Sequence, residues 1–341
     1  MNELNLSNLL DNTSNIPENR NYWLVRSMGG DYYDDFYQNG YVAIGYDEIS
    51  LKEVKFAHSF GVDASPKLKE IFASKHPKKE TNNDDKLNPS YAAAQLLKFC
   101  CEIKEGDLVI VPGKSNEKVI AIGIVDGKVY EEKDSNLLQN CPFVKRIKIS
   151  WIKQYNRKQL NPQLQLLFNS RHIVSSANNY SQFIDSTTGN FYRKGKTTFL
   201  VLNVQTKKEI AVTDFLFVGD LLSLVKEYSD ENSLGIDVGE INMKVCVQSP
   251  GDIIMYALSP AGISILGLLI LLLNGGKFSI EKWGLDISTK GIIQHISEFL
   301  DKRKDRQRQK ALIKKIETLR IENPEDLCKI LVEMKNPREK Y

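Results

Sequence analysis

The chain has 341 residues and is 42% hydrophobic, enough for two domains with a core each. Its formal charge is only +3, so no global field draws it to nucleic acid and any basic surface must be local. Five cysteines without a C-x-x-C pair, four scattered histidines and a polar start without a secretory signal argue against a disulfide framework, a structural zinc or other metal, or a bound cofactor, and for a reducing, cytoplasmic setting.

Residues 1–20 read as a flexible leader. In residues 21–160, four runs follow in order: Trp23-Leu24-Val25-Arg26, Gly40 to Tyr46, Lys104 to Val111 and Val119 to Gly127. Each is short, β-branched or aromatic, and ended by Gly or Asp, as strands and their turns are. With a last strand around Ile149 and Trp151 they predict a small, strongly bent β-barrel. A helical insert follows the second strand. Lys67 to Lys75 has helical spacing, Ser74 to Pro89 is too polar to bury, and Asn88-Pro89-Ser90 opens a helix over Tyr91 to Glu102.

Residues 161–196 are rich in Asn, Gln and Ser and read as a linker with a short helix over Asn161 to Phe168. A small α/β module then covers 197–341, making the whole chain α+β. Its predicted elements are a strand at Phe199 to Val204, a helix from Thr213 to Tyr228 and a half-buried strand at Ile241 to Val247. No charge occurs from Ile253 to Gly276. Within that run Ile253 to Leu258 reads as a strand, and Pro260 and Asn274-Gly275-Gly276 bound a helix at 261–273. Thirteen residues span only about 20 Å of the roughly 30 Å of a bilayer core. Two readings stand: a helix buried against its own sheet and a second copy of the chain, making a homo-oligomer through residues 253–288, or a membrane anchor at 253–273 that puts the protein at an inner membrane. A strand at Lys277 to Ser288 and three helices, at Gly291 to Leu300, Gln309 to Leu319 and from Asn323 on, complete the chain.

The N-terminal pieces carry a resemblance. W-x-V-R at Trp23 to Arg26, the aromatic Phe36, V-A-I-G-Y ending at Tyr46, G-D-L-V at Gly106 to Val109, I-G-x-V-x-G-x-Y at Ile122 to Tyr130 and Ile149 to Trp151 together resemble the EVE-like branch of PUA-like domains found at the N-terminus of Mrr-type restriction proteins. Tyr46 stands where that family usually carries Trp, and Arg146 lies one place from the family's arginine. The resemblance implies a reader that takes one base, often a modified one and here most simply in DNA, into an aromatic pocket, in bacterial antiviral defence against foreign DNA.

The residues supply candidates for that role. Trp23, Tyr32, Tyr33, Phe36, Tyr46 and Trp151 are the rings for stacking a flipped base. Arg26 beside Gly29 and Gly30 reads as a phosphate contact, the arginine forked and the glycine amides approachable. Lys145, Arg146 and Lys148, with Lys153, Arg157 and Lys158 behind them, make a basic patch. Asp31, Asp34 and Asp35 read as solvated turn residues or an acceptor for a base amino group. Lys302 to Lys310 is a second basic stretch, a solvated helix or a contact to an anionic surface. A nuclease would need two carboxylates and a lysine on one metal-bound phosphate. The nearest set is Asp237, Glu240 and Lys244, with Glu240 and Lys244 about 13 Å apart on a strand. The leading expectation is therefore a non-enzymatic reader coupled to an oligomerising or effector module, with a ligand-sensing membrane effector and a divergent nuclease using Asp237 and Glu240 as rivals.

Overall fold

A computed structural model describes residues 6–75, 88–114, 117–246, 251–274, 291–303 and 306–335. The chain forms two compact units, one from Asn19 to Thr188 and one joining Met1–Glu18 to Gly189–Tyr341. Strand β1 (Asn15–Ile16) belongs to the second unit, where it pairs in parallel with β9 (Phe191–Lys194).

The strands of the first unit are β2 (Tyr22–Val25), β3 (Tyr41–Ile44), β4 (Leu108–Pro112), β5 (Val119–Val125), β6 (Tyr130–Glu131), β7 (Lys145–Asn156) and β8 (Val174–Ser176). They form one sheet in the order β3-β7-β5-β4-β2-β8, with β6 also beside β7. Only β2 and β4 run parallel. The long β7 pairs through Lys145–Lys148 with β3 and through Ile149–Asn156 with β5, across a register shift at Ile122/Gly123. Gly123 is needed at that shift, because a Cβ there would lie 2.4 Å from Ile149 Cγ2 and 2.7 Å from Trp151 Cε3. The sheet curls there into a half-barrel. Among the described residues no pairing joins β3 to β8 to close it.

Both faces of this sheet are buried. Trp23, Val25, Val109 and Val111 face the core that holds Phe36, Leu96 and Phe99. Their neighbours Tyr22, Leu24, Leu108 and Ile110 face Leu160, Leu164, Leu167, Phe168 and Ile184. The near-continuous apolar strands therefore need a cover on each side. Residues 161–188, expected as part of a linker, are that second cover: helix Pro162–Leu167, strand β8 and helix Ser181–Thr188 are integral to the unit. Asp185 accepts a hydrogen bond from the Tyr22 hydroxyl at 2.6 Å, tying the cover to β2.

The helical insert follows the sequence pattern. Ser50 and Glu53 form a reciprocal cap on helix Leu51–His58, and helix Ala64–Lys75 follows. Asn88 caps helix Pro89–Leu97, whose backbone continues in a wider turn to Glu102. The polar stretch from 76 to 87 lies outside the described residues.

In the second unit, β10 (Thr197–Val204), β11 (Asn242–Cys246) and β12 (Gly251–Ala257) complete a sheet ordered β1-β9-β10-β12-β11. Leu200 and Leu202 on β10 and Ile253 and Met255 on β12 face helix Pro260–Leu273. The uncharged run is thus a strand and a 14-residue helix in one core. The helix is covered by Leu6–Asp11, Leu216–Glu231, Ile292–Lys302, Arg306–Leu319 and Glu325–Lys335. From Ile263 to Leu273 no residue is more than 8% exposed, so the helix has no free face for a second copy or for lipid. Among the described residues no helix is long and apolar enough to cross a membrane. The helix itself thus leaves no exposed face for the membrane anchor expected at 253–273, and residues 275–288 of the expected oligomer interface lie outside the described residues. The expected strand at 277–288 lies outside the described residues.

The leader is also corrected. Leu9, within helix Leu6–Asp11, is fully buried, and β1 adds a strand to the sheet, because the apolar Leu6, Leu9 and Ile16 find cover there.

Candidate nucleic-acid site

The site is built at the end of β3, where Tyr46 takes φ +65°, a left-handed backbone that a bulky aromatic residue avoids. The conformation is held from below. Lys145 on β7 is fully buried, and its ammonium donates to Tyr46 O (3.1 Å), Asp47 Oδ1 (2.8 Å) and Ile49 O (3.1 Å). Three donors meet three acceptors, so the turn 46–49 is tied to the sheet through one side chain. The Tyr46 ring is half-buried, edge-on to Phe72 at 6.1 Å between centroids. Burial raises the pKa of its hydroxyl, and the nearby Tyr91 and Glu48 raise it further.

A second turn is held the same way. Arg146, also buried, donates to Phe143 O (3.1 Å), Leu137 O (3.0 Å) and Cys141 O (2.9 Å), and its guanidinium stacks on the Tyr41 ring at 4.1 Å. That fixes Phe143, whose ring lies edge-on to Tyr32 at 5.1 Å and would be 3.1 Å from a Cβ on Gly45.

Arg26, after β2, bridges to the far cover of the sheet. Its Nε donates to Ser170 O at 2.9 Å and its Nη2 to Phe168 O at 2.7 Å. Burial and the charge of Arg157 lower its pKa, while Tyr91 works against them. Tyr91, in the first turn of helix Pro89–Leu97, accepts from Ile173 N at 3.1 Å and stacks on the exposed His172 at 5.6 Å. Its hydroxyl is thus an electrostatic neighbour of both Arg26 and Tyr46.

Several expected site residues stand elsewhere. Trp23 is in the core and donates from Nε1 to Asp107 Oδ2 at 2.9 Å. Phe36 is fully buried against Tyr41, and Tyr33 is buried with its hydroxyl accepting from Gln154 at 3.1 Å. Trp151 donates to Phe36 O at 3.2 Å and packs on Tyr37. These four brace the sheet and its helix. Lys145 and Arg146 cannot meet a phosphate, being buried and fully engaged, whereas Lys148 is exposed. The Gly29–Gly30 turn closes on itself: the amides of Gly30 and Tyr32 donate to Ser27 O, and Gly30 lies so close to Lys114 that a Cβ would be 2.4 Å from its nitrogen. Asp35 accepts from Asn39 at 2.8 Å and from the Tyr41 hydroxyl, while Asp31 and Asp34 are exposed.

Sequence reading missed Phe143, Tyr91 and His172. The Asn88-Pro89 cap put Tyr91 in a first turn, but no local pattern shows which loops meet it.

The rival chemistries find less. Asp237 caps a single turn by accepting from Gly239 N at 2.8 Å, Glu240 is exposed, and among the described residues no group of His, Cys, Asp and Glu could hold a metal ion. In the C-terminal basic stretch, Arg303 pairs with Glu227 and Glu231, and Arg308 with Glu227, all across to helix Leu216–Glu231. These two charges knit helices together.

Comparison with known proteins gives one domain-model match and no activity. Residues 23–171 match the model of a domain of unknown function, DUF8426. No curated protein matches the chain. Among solved structures, the chain is similar to the YTH domain of the Zygosaccharomyces rouxii MRB1 protein in complex with N6-methyladenosine RNA. The identity is 9% and the TM-score 0.27, over 50% of this chain and 86% of that one.

Proposed function

We propose that the unit Asn19–Thr188 is a PUA-like, EVE-like reader of nucleic acid that accepts one unstacked base beside Tyr46. The observation that carries this is Tyr46 itself: a half-exposed ring in a strained backbone, locked by a buried lysine. Strain of this kind persists where the surroundings over-determine it, and such places cluster at binding sites. Tyr91 with His172 supplies a second stacking surface, and Tyr32 with Phe143 a rim.

A modified base, DNA as the polymer and a role in defence against foreign DNA rest on the ordered sequence pieces from Trp23 to Trp151, and a cytoplasmic setting rests on the cysteine usage. The second unit acts as the coupled effector module. In a binding panel of the full chain against DNA and RNA with and without modified bases, one modified oligonucleotide should bind tightest. Tyr46→Ala should remove about 1 to 3 kcal/mol of that affinity. Equal affinity for every oligonucleotide, unchanged in Tyr46→Ala, would overturn the reading.

A further inference from the structure

Of the basic residues that adjoin one another in sequence, two are buried as braces, and the free positive charge gathers further along, beside Arg26. Arg157 stacks its guanidinium on the Phe168 ring at 4.7 Å and donates from Nε to Gln165 at 2.9 Å. Phe168 is the same residue whose carbonyl takes Arg26 Nη2, so one side chain links the two guanidinium groups. Arg157 N donates to Lys118 O at 2.6 Å, which brings the turn between β4 and β5 against the end of β7.

Lys118 has φ +56°, again a left-handed backbone without glycine. Lys118 and Lys158 are both exposed, and among the described residues neither has an ion pair. The two ammonium groups crowd each other enough to lower the Lys118 pKa. Glu117, the nearest carboxylate in sequence, lies within electrostatic reach of the Tyr33 hydroxyl. Two exposed cations on adjoining turns, joined by the Arg157 N to Lys118 O hydrogen bond, suit an anion between them, since each phosphate in a polymer offers one charge to such a pair.

We propose that Arg157, Lys158 and Lys118 form a track for the phosphodiester backbone, with Arg26 at the junction between this track and the Tyr46–Tyr91 site. The inference rests on the reader proposed above and names the contact that holds its polymer. An acidic peptide or an anionic membrane would satisfy the lysines but offers no base to stack on the Tyr91–His172 pair.

The test measures binding of the full chain to a short single-stranded oligonucleotide as a function of salt. Lys118→Gln with Lys158→Gln should lower the slope of log affinity against log salt by about 2, about 1 per lysine, and weaken all sequences alike. Lys52→Gln with Lys69→Gln, an equal loss of charge from exposed helical positions, should leave the slope unchanged. Tyr46→Ala should keep the wild-type slope and lose only the dependence on the base. An unchanged slope in the first double variant, an equal fall in the control, or wild-type binding to polyglutamate or phosphatidylserine vesicles but to no oligonucleotide would overturn the track. If the track variant loses slope while Tyr46→Ala discriminates as wild type does, the track stands and the base site fails.

Discussion

The buried ammonium of Lys145 lies 3.1 Å from the carbonyl oxygen of Tyr46, and it is the contact that holds that residue in its left-handed backbone. A charge that looks like surface in the sequence is instead the brace of the site. Its other two hydrogen bonds, to Asp47 and Ile49, make the turn cooperative, because releasing one end frees all three acceptors.

Lys145→Met should therefore destabilise the first unit by about 2 kcal/mol, since the carbonyls of Tyr46 and Ile49 and the exposed Asp47 carboxylate lose their donor. Denaturant unfolding measures it. A loss under about 0.5 kcal/mol would mean the turn is held by other contacts.

Trp23 and Asp107 give a contrasting pair. Asp107 accepts from Trp23 Nε1, Lys104 N (3.0 Å) and Asn21 N (3.1 Å) while only 4% exposed. Asp107→Ala should cost about 3 kcal/mol through the donors it leaves unpaired. Trp23→Phe should lower stability while leaving any oligonucleotide affinity unchanged. A selective loss of affinity in Trp23→Phe would return that ring to the binding site.

Asp252 on β12 supplies a pH test. Burial raises its pKa above the usual 3.8 and the nearby Glu322 raises it further, against a stabilising hydrogen bond from Asn203 at 2.8 Å. A carboxyl whose folded pKa exceeds its unfolded pKa favours the fold at low pH, and that contribution is lost as pH rises through the raised value. Asp252→Asn keeps an acceptor for Asn203 and should stabilise the chain at neutral pH. The gain should vanish as pH falls below 3.8, where the wild-type group is protonated in both states. Thermal unfolding across that range checks it, and a gain independent of pH would contradict the assignment.

Leu269, fully buried in helix Pro260–Leu273, tests the core of the second unit. Leu269→Lys places an unpaired charge among leucines at a cost of several kcal/mol and should leave the protein unfolded or insoluble. A well-folded variant with an unchanged melting temperature would show that this face of the helix is open to water.

Local pattern alone determined most of the elements. The strands at Trp23, Gly40, Leu108 and Val119, the helix opened by Asn88-Pro89 and the strand–Pro–helix succession from Ile253 to Leu273 all lie within four residues of their expected places. Each depends on neighbours in sequence: a period of apolar residues, a cap, a breaker. What covers what did not show there. The polar-looking stretch 161–188 proved to cover one face of a sheet, and residues 6–16 to belong to the second unit, because a few leucines suffice when the partner surface is apolar and that partner is distant in the chain.

The same limit governed the site. A ring or a basic residue reads alike in sequence whether it meets solvent or core. Register decided the matter. Lys145 and Arg146 fall where β7 is flanked by β3 and β6, so both charges are enclosed and turn to backbone carbonyls, while Lys148 emerges. Tyr46 was legible as an aromatic at a strand end. Its strain and its tether to Lys145 came only from bringing residues about 100 positions apart into contact, which tertiary structure alone can do.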